Sequence, residues 1–78
     1  MDERTLSTEQ VQVERKTFVF MHKENPRGRF VRIIEECGGK SNSIIIPDTG
    51  LADFLSTLVK TVEAANQLPP GTQENISR

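Results

Sequence analysis

Apolar and polar residues alternate along the first third of the chain, as they do in half-buried β-strands. Residues 9–15 read EQVQVER, with valines on one side of a strand and polar side chains on the other. Residues 16–23 read KTFVFMHK, where β-branched and aromatic side chains favour a second strand. Phe18, Phe20 and His22 share one face of it, and the other face is also partly apolar. We therefore expect this strand to be central.

Turn residues separate two further apolar segments from these strands. Residues 25–28 read NPRG, in which the proline fixes φ at a central turn position and the glycine tolerates a positive φ. A third strand is predicted over residues 29–36, and the glycine pair at 38–39 should reverse the chain again. Residues 43–47 (SIIIP) predict a short fourth strand, which ends at its proline because proline cannot donate to a ladder.

After the strands the apolar period changes to that of a helix. Asp48 or Thr49 could cap its start, and Asp53 adds negative charge in the first turn. The spacing predicts one apolar stripe that should pack on the sheet. The stripe comprises Leu51, Phe54, Leu55, Leu58, Val59 and Val62.

These elements predict an α+β fold, a four-stranded antiparallel sheet followed by one helix. We expect a folded unit over residues 9–65, between a polar, disordered segment at 1–8 and a disordered tail at 66–78 that is rich in proline, glycine and polar residues.

Composition narrows the function classes. The chain has 78 residues, one cysteine and one histidine, so we expect one small domain without an intrachain disulfide or a recognisable metal-ligand set. The single cysteine, Cys37, fits a reducing compartment and an inert thiol near a turn. The polar start predicts no secretory signal, and no apolar run is long enough to span a membrane. No nucleophile–base pair has a recognisable spacing, which disfavours an enzyme, and no cofactor is predicted.

Charge is unevenly distributed along the chain. The net charge is −1, yet residues 15–32 hold six cations and one carboxylate, a local charge of +5 that leaves −6 for the remainder. The centre of this basic window is KENPRGRF, residues 23–30, which gathers cations, an asparagine and a phenylalanine around one turn. A local basic stripe on an acidic chain indicates a binding surface. The alternative is a well-solvated charged hairpin.

The motifs in this order resemble one repeat of the PUR family, the purine-rich-element binding (Pur-alpha-like) proteins. The resemblance runs from about Val11 to Val62 and includes the K-x-N-x-R-G-R-F hairpin, the strand ending in IIIP and the P-x-x-G-L-x-x-F start of the helix. It implies a ββββα repeat, two of which intertwine into one Whirly-like PUR domain. A chain with one repeat should then form a homodimer, a common symmetric solution for a thin core. The alternative is a monomer.

The resemblance also implies a binding site. Family members are similar in binding single-stranded, purine-rich (GGN-type) DNA and RNA, and in opening short duplexes without ATP. Their base and phosphate contacts fall on Lys23, Asn25 and Arg27, and their stacking aromatic falls on Phe30. Arg32 lies on the same predicted strand face as Phe30 and would extend the basic surface. Pro26 departs from the family, where this position is often small or basic, which bears on the turn geometry.

Each assignment has an alternative. Phe30 could belong to the core, Lys23 could be a plain surface lysine, and Arg29 and Arg32 could pair with carboxylates. Those carboxylates would be Glu14, Glu35 or Glu36. His22 is expected to be a packed imidazole.

The function has an alternative too, a protein-interaction or dimerisation module that binds nucleic acid weakly. A nuclear location is implied by the resemblance alone, and a chain this small could also be present in the cytoplasm.

Overall fold

Four antiparallel strands in chain order form a single sheet, and one helix follows them. The structure is a computed structural model that describes residues 2–69. Its elements are β1 (Arg4–Val13), β2 (Lys16–Asn25), β3 (Gly28–Cys37), β4 (Lys40–Pro47), a 3₁₀ turn (Asp48–Gly50) and α1 (Leu51–Asn66). The predicted ββββα order is confirmed. No helix within residues 2–69 is long and apolar enough to cross a membrane.

The first strand begins earlier than the sequence pattern predicts. Residues 4–8 pair with the far end of β2, so the prediction that residues 1–8 are disordered is wrong for them. A β-bulge at Leu6 shifts the register between Thr5 and Ser7, which breaks the two-residue period that pattern analysis requires. At the other end, most of the predicted tail, residues 70–78, lies outside the described residues.

All three strand reversals contain a residue with positive φ, and Gly28 is that residue in the β2–β3 turn. Gly38 and Gly39, with φ of 59° and 84°, join β3 to β4, which confirms the predicted glycine turn. At the β1–β2 reversal, the sequence analysis predicted two consecutive antiparallel strands but assigned no turn between them. This reversal uses Glu14 and Arg15 between the paired Val13 and Lys16, and Glu14 takes φ = 55° although it carries a Cβ.

Replacing Glu14 by glycine is expected to stabilise the fold by about 0.5–1 kcal/mol. The left-handed conformation costs a non-glycine residue about 1–2 kcal/mol, and the greater chain entropy of unfolded glycine offsets only part of that gain. Arg15→Gly is the matched control, because Arg15 is not in the left-handed region and should lose stability. Urea unfolding measures both variants. Equal destabilisation of the two would contradict the strain at Glu14.

The register gives the sheet two distinct faces. The helix face is the side of the sheet on which α1 starts. It carries the apolar row Phe20–Ile33–Ile44 and the row His22–Val31–Ile46. The open face is the opposite side. It holds the rows Lys23–Phe30–Pro47 and Met21–Arg32–Ile45. The predicted sharing of one face by Phe18, Phe20 and His22 agrees with this register.

The helix starts against the sheet and then leaves it. At its start, His22 Nε2 lies 3.1 and 3.2 Å from the carboxylate oxygens of Asp48, so Asp48 pairs across to β2 instead of capping the helix. The N-cap position is Gly50, with no side-chain cap, which corrects the predicted cap at Asp48 or Thr49. The first turns line an open groove of about 390 Å³ with Phe20 and Ile33.

The apolar stripe is uncovered along the helix, even at Leu55 and Leu58, which line that groove. Leu55, Leu58 and Val62 are 60%, 50% and 50% exposed, and no residue of α1 is buried. Among residues 2–69, the buried apolar side chains are only Phe30 and Ile46. The prediction that the helix packs on its own sheet therefore holds only for its first turns.

Candidate nucleic-acid interface

The hairpin between β2 and β3 is held by one side chain of its own. Asn25 Oδ1 accepts a hydrogen bond of 2.9 Å from the backbone N–H of Arg27. Pro26 fixes φ at the first turn position, and Gly28, with φ = 139°, lets the chain re-enter the ladder opposite Asn25. One lone pair of the asparagine oxygen is thus used by the turn, and the amide –NH₂ remains available as a donor.

Arg27 occupies the tip of this hairpin. Its side chain is exposed, and within the described part of the chain its guanidinium has neither an ion-pair nor a hydrogen-bond partner. The backbone N–H is fixed by Asn25, so the side chain projects from a defined base. A planar guanidinium with five free donors is suited to a phosphate or to the acceptor edge of a guanine.

Lys23 and Phe30 lie opposite each other, one row into the open face. The Lys23 side chain is only 12% exposed, and its Nζ donates to Thr5 Oγ1 at 2.9 Å. Phe30 is 8% exposed and lies in the row between Lys23 and Pro47. The core alternative for Phe30 therefore has direct support, although Phe30 also lines a shallow cavity on the open face. Lys23 is not a plain surface lysine.

Arg32 follows two residues later on the same face. Its Nη2 lies 3.5 Å from Glu3 Oε2, and the other oxygen of that carboxylate lies 3.4 Å from Lys23 Nζ. A shallow cavity of about 380 Å³ brings four of the five predicted site residues together, namely Asn25, Arg27, Phe30 and Arg32. The fifth, Lys23, does not line the cavity but forms an ion pair with Glu3, which does.

Arg29 also lines this cavity, but its ion pair belongs to a cluster on the helix face. Its Nε lies 3.2 Å from Glu24 Oε2, and Arg4 Nη2 lies 2.6 Å from Glu24 Oε1. The hydrogen bonds from Arg4 and Arg29 lower the pKa of the Glu24 carboxyl, which stays ionised and holds both cations. The predicted carboxylate partners were wrong, since Arg29 pairs with Glu24 and Arg32 with Glu3, while Glu35 pairs with Lys16.

Sequence analysis missed Glu3 and Thr5 as parts of this surface. Both fall within residues 1–8, which were predicted to be disordered, and the only signal available was their polar character. The bulge at Leu6 is what places them beside Lys23. No group of three or more histidine, cysteine or acidic side chains that could hold a metal occurs among the described residues.

A twisted sheet whose hairpin gathers cations, an amide and an aromatic ring around one shallow concavity has the features of a sheet-type binder of unpaired nucleic acid. Comparison with known families agrees with this class. The family described as "PurA ssDNA and RNA-binding protein" matches residues 1–77. The chain belongs to this family.

Two similar proteins have names that describe them as transcriptional regulators. The chain is 44% identical over 50 residues to "Transcription factor Pur-alpha 1" of Arabidopsis thaliana, covering 64% of this chain and 17% of that protein. It is 32% identical over 74 residues to "Transcriptional regulator protein Pur-beta-A" of Xenopus laevis, covering 94% of this chain and 23% of that protein. The chain thus spans less than a quarter of either relative, and the sequence-based assignment to a PUR repeat is confirmed.

Proposed function

We propose that this chain binds single-stranded, purine-rich DNA or RNA of GGN type across its open face, and that it acts as a homodimer in the nucleus. The observation that carries the proposal is the convergence of Asn25, Arg27, Phe30 and Arg32 on one shallow cavity of the open face. Cationic side chains there would bind phosphates, and the sheet provides a flat surface for a strand.

The purine preference follows from the donors at the hairpin. The turn uses one lone pair of the Asn25 oxygen and leaves both of its amide hydrogens free to donate, and the guanidinium of Arg27 has only donors. The N7 and O6 atoms of guanine are both acceptors on one edge. Donors gathered at one turn would favour that edge over the major-groove edge of cytosine, which presents an amino donor.

Duplex opening requires no ATP in this scheme. A protein that binds single strands more tightly than duplex stabilises the open form by mass action. Phe30 would stack on an exposed base once the strand displaces the groups beside its ring, and such stacking is possible only where bases are unpaired.

The homodimer is supported by the uncovered apolar stripe. A protomer with Phe30 and Ile46 as its buried apolar residues among those described has a thin core. Two helices that cross to the partner's helix face would cover the stripe and fill the groove beside Phe20 and Ile33 in one symmetric step.

Arg27→Ala is expected to weaken binding of a GGN-type single strand by about 1–3 kcal/mol, because it removes a base-edge or phosphate contact. Fluorescence anisotropy with a labelled strand measures the loss, and titration between about 50 and 200 mM salt should show a shallower salt slope.

Arg15→Ala is the matched control for this change. Arg15 is also an exposed cation, but it lies in the β1–β2 turn at the opposite end of β2 from Arg27, so its loss should leave affinity almost unchanged. Equal losses in the two variants would show that net charge alone drives binding and would remove Arg27 from the site.

A second candidate, a protein-interaction module, is favoured by the exposed apolar stripe on α1. The salt response separates the two functions. Nucleic-acid binding weakens steeply as salt rises, whereas a partner held by Leu55 and Leu58 would not.

A further inference from the structure

Glu3 lies across two of the cations that a nucleic-acid strand would use. Its Oε1 is 3.4 Å from Lys23 Nζ, and its Oε2 is 3.5 Å from Arg32 Nη2. The Glu3 side chain is 40% exposed, so it is reachable from solvent. One carboxylate therefore bridges a lysine and an arginine whose chain positions are nine residues apart.

The β-bulge is the reason that a carboxylate is there at all. In a regular ladder Glu3 and Thr5 would share the helix face with Ser7, and Arg4 would lie on the open face. The extra residue Leu6 reverses this alternation, so that Thr5 pairs opposite Lys23 and Arg4 pairs opposite Glu24. Bulges commonly re-aim side chains near functional sites. Here the bulge puts an anion on the open face and sends a cation to the other side.

The bridge is loose compared with a tight ion pair. Charge-assisted N–H···O hydrogen bonds are about 2.7–2.9 Å long, and both contacts of Glu3 are longer. Lys23 keeps its shorter bond of 2.9 Å to Thr5 Oγ1, which holds the ammonium in place if the carboxylate leaves. A phosphate group could share two of its oxygens between the same two cations in this way.

We propose that the gap between Lys23 Nζ and Arg32 Nη2 is a phosphate subsite of the strand-binding surface, and that Glu3 is its intramolecular competitor. This inference rests on the proposed function. A bound strand displaces the Glu3 carboxylate, which takes up a counterion as it leaves. The subsite then changes from a local charge of +1 to +2 towards the strand. Binding in the native chain is weaker, and less dependent on salt, than the cations alone would give.

Glu3→Gln tests the competitor, with Asp2→Asn as its matched control. Both changes remove one negative charge from adjacent positions, but Asp2 has no ion pair with any residue in the range 2–69. The probe is a labelled purine-rich single-stranded DNA, measured by anisotropy across the same salt range for all variants. Glutamine has nearly the same shape, and circular dichroism checks that the strands form.

The expected result is an affinity about two- to fivefold higher for Glu3→Gln than for Asp2→Asn at low salt, which is the range of an exposed ion pair. The slope of log affinity against log salt should also be steeper by about 0.7, one single-strand phosphate contact. Combining Glu3→Gln with Arg32→Gln should cancel the gain, since one side of the subsite is then absent.

The outcomes separate the two proposals. If native chain and Asp2→Asn bind, and Glu3→Gln binds no better than Asp2→Asn, the competitor role is overturned and the proposed function stands. If only Glu3→Gln binds, both are supported, because the carboxylate then blocks the site. If no variant binds at low salt, the proposed function fails and the subsite fails with it.

Discussion

Leu58→Asp is expected to convert a homodimer into monomers, raising the dissociation constant more than about 100-fold. Leu58 is 50% exposed in the protomer and lies in the middle of the apolar stripe. Burying a leucine side chain stabilises by about 1.5–3 kcal/mol, and a symmetric dimer loses the contact twice. A carboxylate placed at the interface would also have to be desolvated without a partner. Sedimentation equilibrium over a range of protein concentrations measures the change.

Ser56→Asp is the control for the helix. It adds the same charge to α1 at a position outside the apolar stripe, so it should leave the oligomeric state unchanged. A native chain that sediments as a monomer at all concentrations would contradict the homodimer. So would a Leu58→Asp variant that dimerises as well as Ser56→Asp.

Phe30→Ala is expected to lower the free energy of unfolding by about 3 kcal/mol, the usual range for removing a buried aromatic ring. Phe30 is 8% exposed and is one of the two buried apolar residues among those described. Since small domains have only about 5–15 kcal/mol of stability, this change should remove a large fraction of it. Urea unfolding measures the loss, and Ile45→Ala, at a 52% exposed position on the same face, should have a much smaller effect.

Phe30→Leu separates packing from base stacking at the same position. Leucine keeps most of the volume, so the fold should lose less than about 1.5 kcal/mol. A stacking role predicts that strand affinity nevertheless falls by about 1–3 kcal/mol, because the aromatic platform is gone. Unchanged affinity of a folded Phe30→Leu protein would limit Phe30 to the core.

The elements that local chemistry determines were predictable from the sequence. The reversal at Gly38 and Gly39 was predictable because left-handed backbone favours glycine. The helix α1 was predictable because its apolar residues recur with the helical period. The basic hairpin was visible too, because its charges are close in sequence, and the structure adds that Asn25 supports the turn.

The features that sequence analysis missed depend on contacts distant in the chain. Residues 4–8 have no apolar pattern and become a strand only because β2 offers its backbone, and the bulge at Leu6 hides their alternation. The burial of Phe30 depends on its neighbours Lys23 and Pro47 in the sheet. The helical period of α1 does not predict that the helix leaves its own sheet, because an apolar stripe can pack on the same chain or on another.

The departure of α1 from the sheet has a consequence for the kinetics of folding. In a homodimer of such protomers, the step that covers Leu55, Leu58 and Val62 is bimolecular, so its rate falls with dilution while the hairpins still close within microseconds. The melting temperature should therefore rise with protein concentration. A newly made protomer exposes its apolar helix until it meets a partner, and this time is longer when few copies are present. Aggregation or proteolysis of the protomer then competes with dimerisation rather than with folding of the chain.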